Sequence, residues 1–137
     1  MPDPADTVFS PAARRAQARF GSERMMALKG FPTEINDELA AFIAERDSFY
    51  VATASAAGQP YVQHRGGPPG FLRVLDERTL GFADFRGNRQ YISLGNVQAS
   101  DRVSMILVDY PARRRLKLFG RAEIRDLAGH PALAERL

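Results

Sequence analysis

Residues 48–64 read Ser48-Phe49-Tyr50-Val51-Ala52-Thr53-Ala54-Ser55-Ala56-Ala57-Gly58-Gln59-Pro60-Tyr61-Val62-Gln63-His64, and this run decides the fold class. Its first part, Phe49-Tyr50-Val51-Ala52-Thr53-Ala54, is aromatic and β-branched, the composition that suits a pleated, half-buried strand. Ala57-Gly58-Gln59-Pro60 supplies a turn, and Tyr61-Val62-Gln63-His64 returns as a second strand. The stretch predicts a β-hairpin.

Strand signals continue downstream. Residues 71–75 and 79–84 form a second candidate pair across Asp76-Glu77-Arg78, ahead of a break at Gly87. Residues 89–97 read as a short helix, and 102–109 and 115–124 as two more strands joined by a turn around Pro111. Upstream, Ile35, Leu39, Phe42 and Ile43 fall on one face of an amphipathic helix that Thr33 or Asn36 would cap. Residues 1–30 read as an arm with a helical stretch over 11–20, where Ser10 caps and Pro11 suits the first turn. Residues 31–137 form the main domain. Six short strands after one helix predict a mainly β fold with flanking α, for which an antiparallel barrel is the economical architecture. A sandwich satisfies the same periodicity. The final run, Ala132-Leu133-Ala134-Glu135-Arg136-Leu137, is helix-forming without a C-cap, so the helix begun after His130 and Pro131 is expected to continue.

The 137 residues contain no cysteine, which excludes disulfides, thiolate catalysis and cysteine-ligated zinc, and which fits a reducing, cytoplasmic setting. No apolar run approaches the roughly 20 residues of a membrane helix, and residues 1–8 lack the features of a secretory signal. A soluble protein with no membrane partner is expected. Formal net charge is only +3, a weak footprint for nucleic acid. Lys29 and Lys117 are the only lysines, so arginine is the cation available for bidentate phosphate or carboxylate contacts.

Three stretches carry candidate chemistry. Asp84-Phe85-Arg86-Gly87-Asn88-Arg89-Gln90 lies where a strand ends, glycine allows a sharp turn and a helix begins. Outward-pointing helix amides, with Asn88, Arg89 and Gln90 beside them, suit a phosphate, although a solvated turn would look alike. Gln63-His64-Arg65-Gly66-Gly67-Pro68-Pro69-Gly70 leaves a strand with planar polar side chains and three glycines, which allow close backbone approach to a flat ligand or merely an irregular connection. In Arg113-Arg114-Arg115-Leu116-Lys117-Leu118, alternation places Arg115 and Lys117 on one face, either toward a pocket or toward solvent. His64 and His130 are the only histidines and no carboxylate cluster stands near either, so triads and metal sites find no support.

Taken in order, these pieces resemble the pyridoxamine 5′-phosphate oxidase family over residues 34–124. The anchors are the helix before Asp47-Ser48-Phe49, the hairpin Gly58-Gln59-Pro60-Tyr61, the turn at Phe85 to Gln90 and the strand ending Leu118-Phe119-Gly120. A flavin-binding branch with Gln-His-Arg-Gly-Gly-Pro and Gly-Asn-Arg-Gln-Tyr-Ile is the nearest likeness, seen at residues 63–68 and 87–92. The resemblance implies a six-stranded antiparallel split β-barrel that pairs as a homodimer and holds FMN between subunits. The oxidase's phosphate-gripping Ser-Arg-Lys triplet falls on Asn88, Arg89 and Gln90, with Arg89 unchanged. Its late-strand Arg-Gln pair falls on Arg114 and Arg115. Its Arg-x-Val-x-x-Lys strand falls on residues 63–68, so the phosphate-binding lysine is absent and Lys117 is the candidate replacement.

The expected cofactor contacts are therefore Asp84, Phe85, Asn88, Arg89 and Gln90 at the phosphate turn, and Gln63, His64, Arg65, Gly66 and Gly67 bordering the ring. Arg115 and Lys117 complete the set from the late strand. The expected function is FMN-dependent oxidation or reduction of a small molecule, with NADH or NADPH as candidate donor and no residue marked as proton donor. The substrate-phosphate residues of the true oxidase lie mainly further toward its C-terminus, so vitamin B6 oxidation is not expected. A flavin carrier or sensor would use the same pocket, and a basic nucleic-acid-binding barrel would instead use Arg113 to Arg115.

Overall fold

The computed structural model describes residues 3–83 and 92–137, and the chain forms two compact units, residues 1–34 and 35–137. The first unit holds three helices, α1 (Pro4–Val8), α2 (Pro11–Phe20) and α3 (Glu23–Ala27). Helix α2 has the expected bounds for the expected reason. The Ser10 hydroxyl accepts from the Ala13 amide at 3.1 Å, Pro11 occupies the first turn, and Gly21 ends the helix in the left-handed region at φ 83°. Helices α1 and α3 are five residues each, too short to show a 3.6-residue period. Phe9 meets Phe31 edge to face at 5.3 Å within this unit.

The second unit opens with α4 (Asp37–Ala44), capped by Asn36, whose Oδ1 accepts from the Leu39 amide at 2.8 Å. The strands are β1 (Ser48–Ala54), β2 (Pro60–Gly66), β3 (Arg73–Asp76), β4 (Thr79–Gly81), β5 (Arg102–Asp109) and β6 (Arg114–Arg121). Helix α5 (Ile92–Ala99) lies between β4 and β5, and α6 (Pro131–Arg136) follows β6. Among the described residues the strands form two antiparallel sheets, β2-β1-β5-β6 and β3-β4, with no ladder closing them into one ring.

The hairpin read from residues 48–64 is present, with Tyr50 opposite His64 and Thr53 opposite Tyr61. Gly58 turns it at φ 88° and donates its amide to the Ser55 carbonyl at 2.8 Å. The core is Phe42, Ile43, Phe49, Leu72 and Leu107, each burial contributing about 1.5 to 3 kcal/mol. Val74 and Leu80 of the small sheet and Val51, Met105, Leu116 and Leu118 of the large one pack around it. One face of the four-stranded sheet is therefore covered by α4 and the small sheet. Arg46 fastens α4 to β5. Its guanidinium lies 4.4 Å from the Phe42 ring centroid, donates to the Phe42 and Val108 carbonyls, and stands 3.6 Å from the Asp109 carboxylate.

Candidate functional site

Alternation along β2 turns Tyr61, Gln63 and Arg65 toward the covered face and leaves Val62 and His64 on the other. Gln63 meets helix α5 there. The Ser93 hydroxyl donates to Gln63 Oε1 at 2.6 Å, and Arg65 Nη2 donates to the same oxygen at 3.1 Å. One turn further along α5, the amide of buried Asn96 donates to the hydroxyl of buried Thr53 in β1 at 2.9 Å. Two hydrogen bonds thus moor α5, the helix after the candidate phosphate turn, across β2 and β1. Asp84, Phe85, Asn88, Arg89 and Gln90, expected at that turn, lie outside the described residues.

The glycine-rich loop after β2 is tied to its own chain. Gly67 donates to the Asp47 carbonyl at 3.0 Å and Gly70 to the Arg46 carbonyl at 2.9 Å. A Cβ on Gly67 would stand 2.8 Å from Phe71 Cγ, so the close approach this glycine permits is to an aromatic ring beside the core. Gly66 is exposed, and a Cβ there would stand 3.3 Å from His64 Cε1 and 3.6 Å from the Asp47 carbonyl oxygen.

Arg115 and Lys117 alternate with Leu116 and Leu118 as expected, and the two cations are exposed on the uncovered face. Register places them there. Lys117 pairs with Ile106, Ile106 with Tyr50, and Tyr50 with His64, a row running across all four strands. Tyr50 and His64 touch ring to ring at 5.2 Å. A hydrogen bond with Tyr50, reinforced by that neighbour's charge, raises the Tyr110 phenol above its ordinary range. Val62, Phe119 and Tyr110 are more than half exposed on or beside this face.

The described site residues therefore divide between opposite faces. Gln63 and Arg65 point inward beside Ser93, whereas His64, Arg115 and Lys117 point outward. Strands β2 and β6 are the two edges of the sheet, three strand spacings or about 14 Å apart. One copy of the chain does not bring the two groups onto one pocket. Ser93 and Asn96 were not singled out by the sequence reading; the only signal was polar residues inside an otherwise apolar helix. A cavity of about 440 Å³ in the first unit, lined by Phe9, Arg14, Met26 and Phe31 among others, contains none of the expected site residues. No helix among the described residues is long and apolar enough to cross a membrane.

Among the described residues, six antiparallel strands in a four-stranded and a two-stranded sheet, packed through a shared apolar core with helices at the margins, define a split-barrel protein. The family model described as pyridoxamine 5′-phosphate oxidase matches residues 35–134, and the chain belongs to this family of flavin-binding split barrels. Two crystal structures of HupZ from Group A Streptococcus share the fold. One is 22% identical with a TM-score of 0.52 over 65% of each chain. The other, a histidine-to-alanine variant, is 21% identical with a TM-score of 0.53, covering 65% of this chain and 69% of that one. No curated protein matches the chain.

Proposed function

We propose that this chain binds FMN at a site shared between two copies and acts as an FMN-dependent oxidoreductase on a small molecule. The observation that carries the reading is the 2.6 Å bond from Ser93 to Gln63. It joins the strand with the planar polar residues to the helix that follows the arginine-bearing segment 84–90, the two stretches a flavin would have to touch together.

The donor set suits the cofactor. Gln63 supplies an amide and Arg65 a guanidinium for ring carbonyls and ring nitrogens, while Asn88, Arg89 and Gln90 match the phosphate. Bound FMN supplies the electron transfer, and the protein's part is to hold and polarise it. The division of expected contacts between two faces supports pairing, because a second copy would offer Arg115 and Lys117 where the first cannot. Exposed Tyr50, Val62 and Phe119 on the uncovered face supply apolar surface for that contact.

Denaturing the purified protein and chromatographing the supernatant tests the cofactor: FMN is expected, and an empty supernatant together with no uptake on titration would refute the reading. Light scattering tests the shared site, since a monomer with FMN bound excludes it. Replacing exposed Phe119 with Glu should yield monomers that no longer retain FMN. Bleaching of the bound flavin by NADH or NADPH separates oxidoreductase from carrier.

A further inference from the structure

Gln63 ends in a carboxamide with one acceptor oxygen and one NH2 carrying two donors, and the chemistry of its neighbours decides which end faces where. A guanidinium has donors only. The Gln63 atom 3.1 Å from Arg65 Nη2 is therefore the oxygen. Ser93 Oγ stands 2.6 Å from the same oxygen, so the hydroxyl must donate to it. Two donors occupy the two lone pairs of that carbonyl, and the amide nitrogen is directed away from both.

We infer that Ser93 is a positioning residue that, with Arg65, locks the Gln63 carboxamide with its NH2 turned away from both, so that the ligand atom meeting Gln63 is a hydrogen-bond acceptor. The inference rests on the flavin reading and deepens it. A ring carbonyl or an unprotonated ring nitrogen is accepted at this position, and a protonated ring nitrogen is refused. A flipped amide would set NH2 against a guanidinium and a hydroxyl whose proton would have to turn elsewhere. All three side chains are half-buried, where water compensates poorly.

FMN titration of the full-length chain, wild type against Ser93→Ala, Ser93→Thr and Gln63→Leu, tests it. Ser93→Ala should weaken binding about 2- to 10-fold, the range of one ordinary hydrogen bond, and should shift the flavin absorption band. Ser93→Thr keeps the hydroxyl and should restore both, and Gln63→Leu should lose at least as much as Ser93→Ala. Wild-type binding with Ser93→Ala, or a Ser93→Thr as weak as Ser93→Ala, overturns the inference while leaving flavin binding intact. A wild type that takes up no FMN refutes the flavin reading instead. The side-chain amide protons of Gln63, identified by their loss in Gln63→Leu, then decide the orientation in unliganded protein. They should move in Ser93→Ala and not in Ser93→Thr, and unmoved signals overturn the inference.

Discussion

The carboxamide of Asn96 in α5 donates to the hydroxyl of Thr53 in β1 at 2.9 Å, and both residues are buried. Removing one partner leaves the other unsatisfied in the interior, at a cost of about 1 to 3 kcal/mol, whereas replacing both with apolar groups is far milder. Thr53→Val and Asn96→Leu should each lower the melting temperature by several degrees. The double variant should lose clearly less than the sum. Strict additivity in this cycle would mean that the two side chains act independently and that α5 is held by other contacts.

Two glycines respond to alanine with opposite sign. At Gly67 the new Cβ would stand 2.8 Å from Phe71 Cγ and 3.1 Å from Phe71 Cβ, an overpacking that costs about 1 to 3 kcal/mol. At Gly95, inside α5, it meets open space, and alanine should stabilise by about 0.5 to 1 kcal/mol through helix propensity. Urea midpoints of Gly67→Ala and Gly95→Ala should therefore move in opposite directions. A neutral Gly67→Ala would show that the loop yields easily.

Much of the strand layout was legible because it is local. The aromatic and β-branched run at 49–54, the positive-φ turn at Gly58 and the Leu116/Leu118 alternation each declare themselves within a few residues. The split of the site was not legible. Alternation sorts the residues of one strand into two faces, but only the pairings His64 with Tyr50, Tyr50 with Ile106 and Ile106 with Lys117 decide that His64 and Lys117 share a face that Gln63 does not. Ser93 was missed for a similar reason, since its partner is 30 residues away and a serine early in a helix reads as solvent-facing. The packing of Gly67 against Phe71 was not legible either, because the two come close only once the loop has folded back on Asp47.

Acid should act on the β3-β4 turn through Asp76. The Arg78 backbone amide, 2.8 Å from Asp76 Oδ1, and then the Thr79 hydroxyl hold this carboxyl below its ordinary range. A carboxylate depressed in the folded state stabilises it above the unfolded-state pKa and loses that contribution as pH falls through the folded value. The loss therefore begins near pH 4, at about the ordinary aspartate pKa, and continues below it. Asp76→Asn keeps the acceptor oxygen and cannot titrate. Below that pH, wild type should lose more stability than Asp76→Asn, and parallel losses would remove Asp76 from the acid response.

Arg89 is the proposed phosphate contact, the residue on which the side-chain chemistry of residues 84–90 and the family pattern agree. Arg89→Ala removes a charge-assisted hydrogen bond of about 1.5 to 3 kcal/mol. FMN affinity should then fall roughly 10- to 150-fold, at about 1.4 kcal/mol per decade. Riboflavin supplies the control because it carries the ring without the phosphate. Wild type and Arg89→Ala should bind riboflavin about equally, so the ratio of the two affinities isolates the phosphate from the ring. Raising ionic strength should narrow the FMN difference between the two proteins, since part of the lost interaction is between charges. Equal losses for FMN and riboflavin would assign Arg89 to the ring or to the fold, and would move the phosphate to another cation, with Lys117 of a second copy the next to replace.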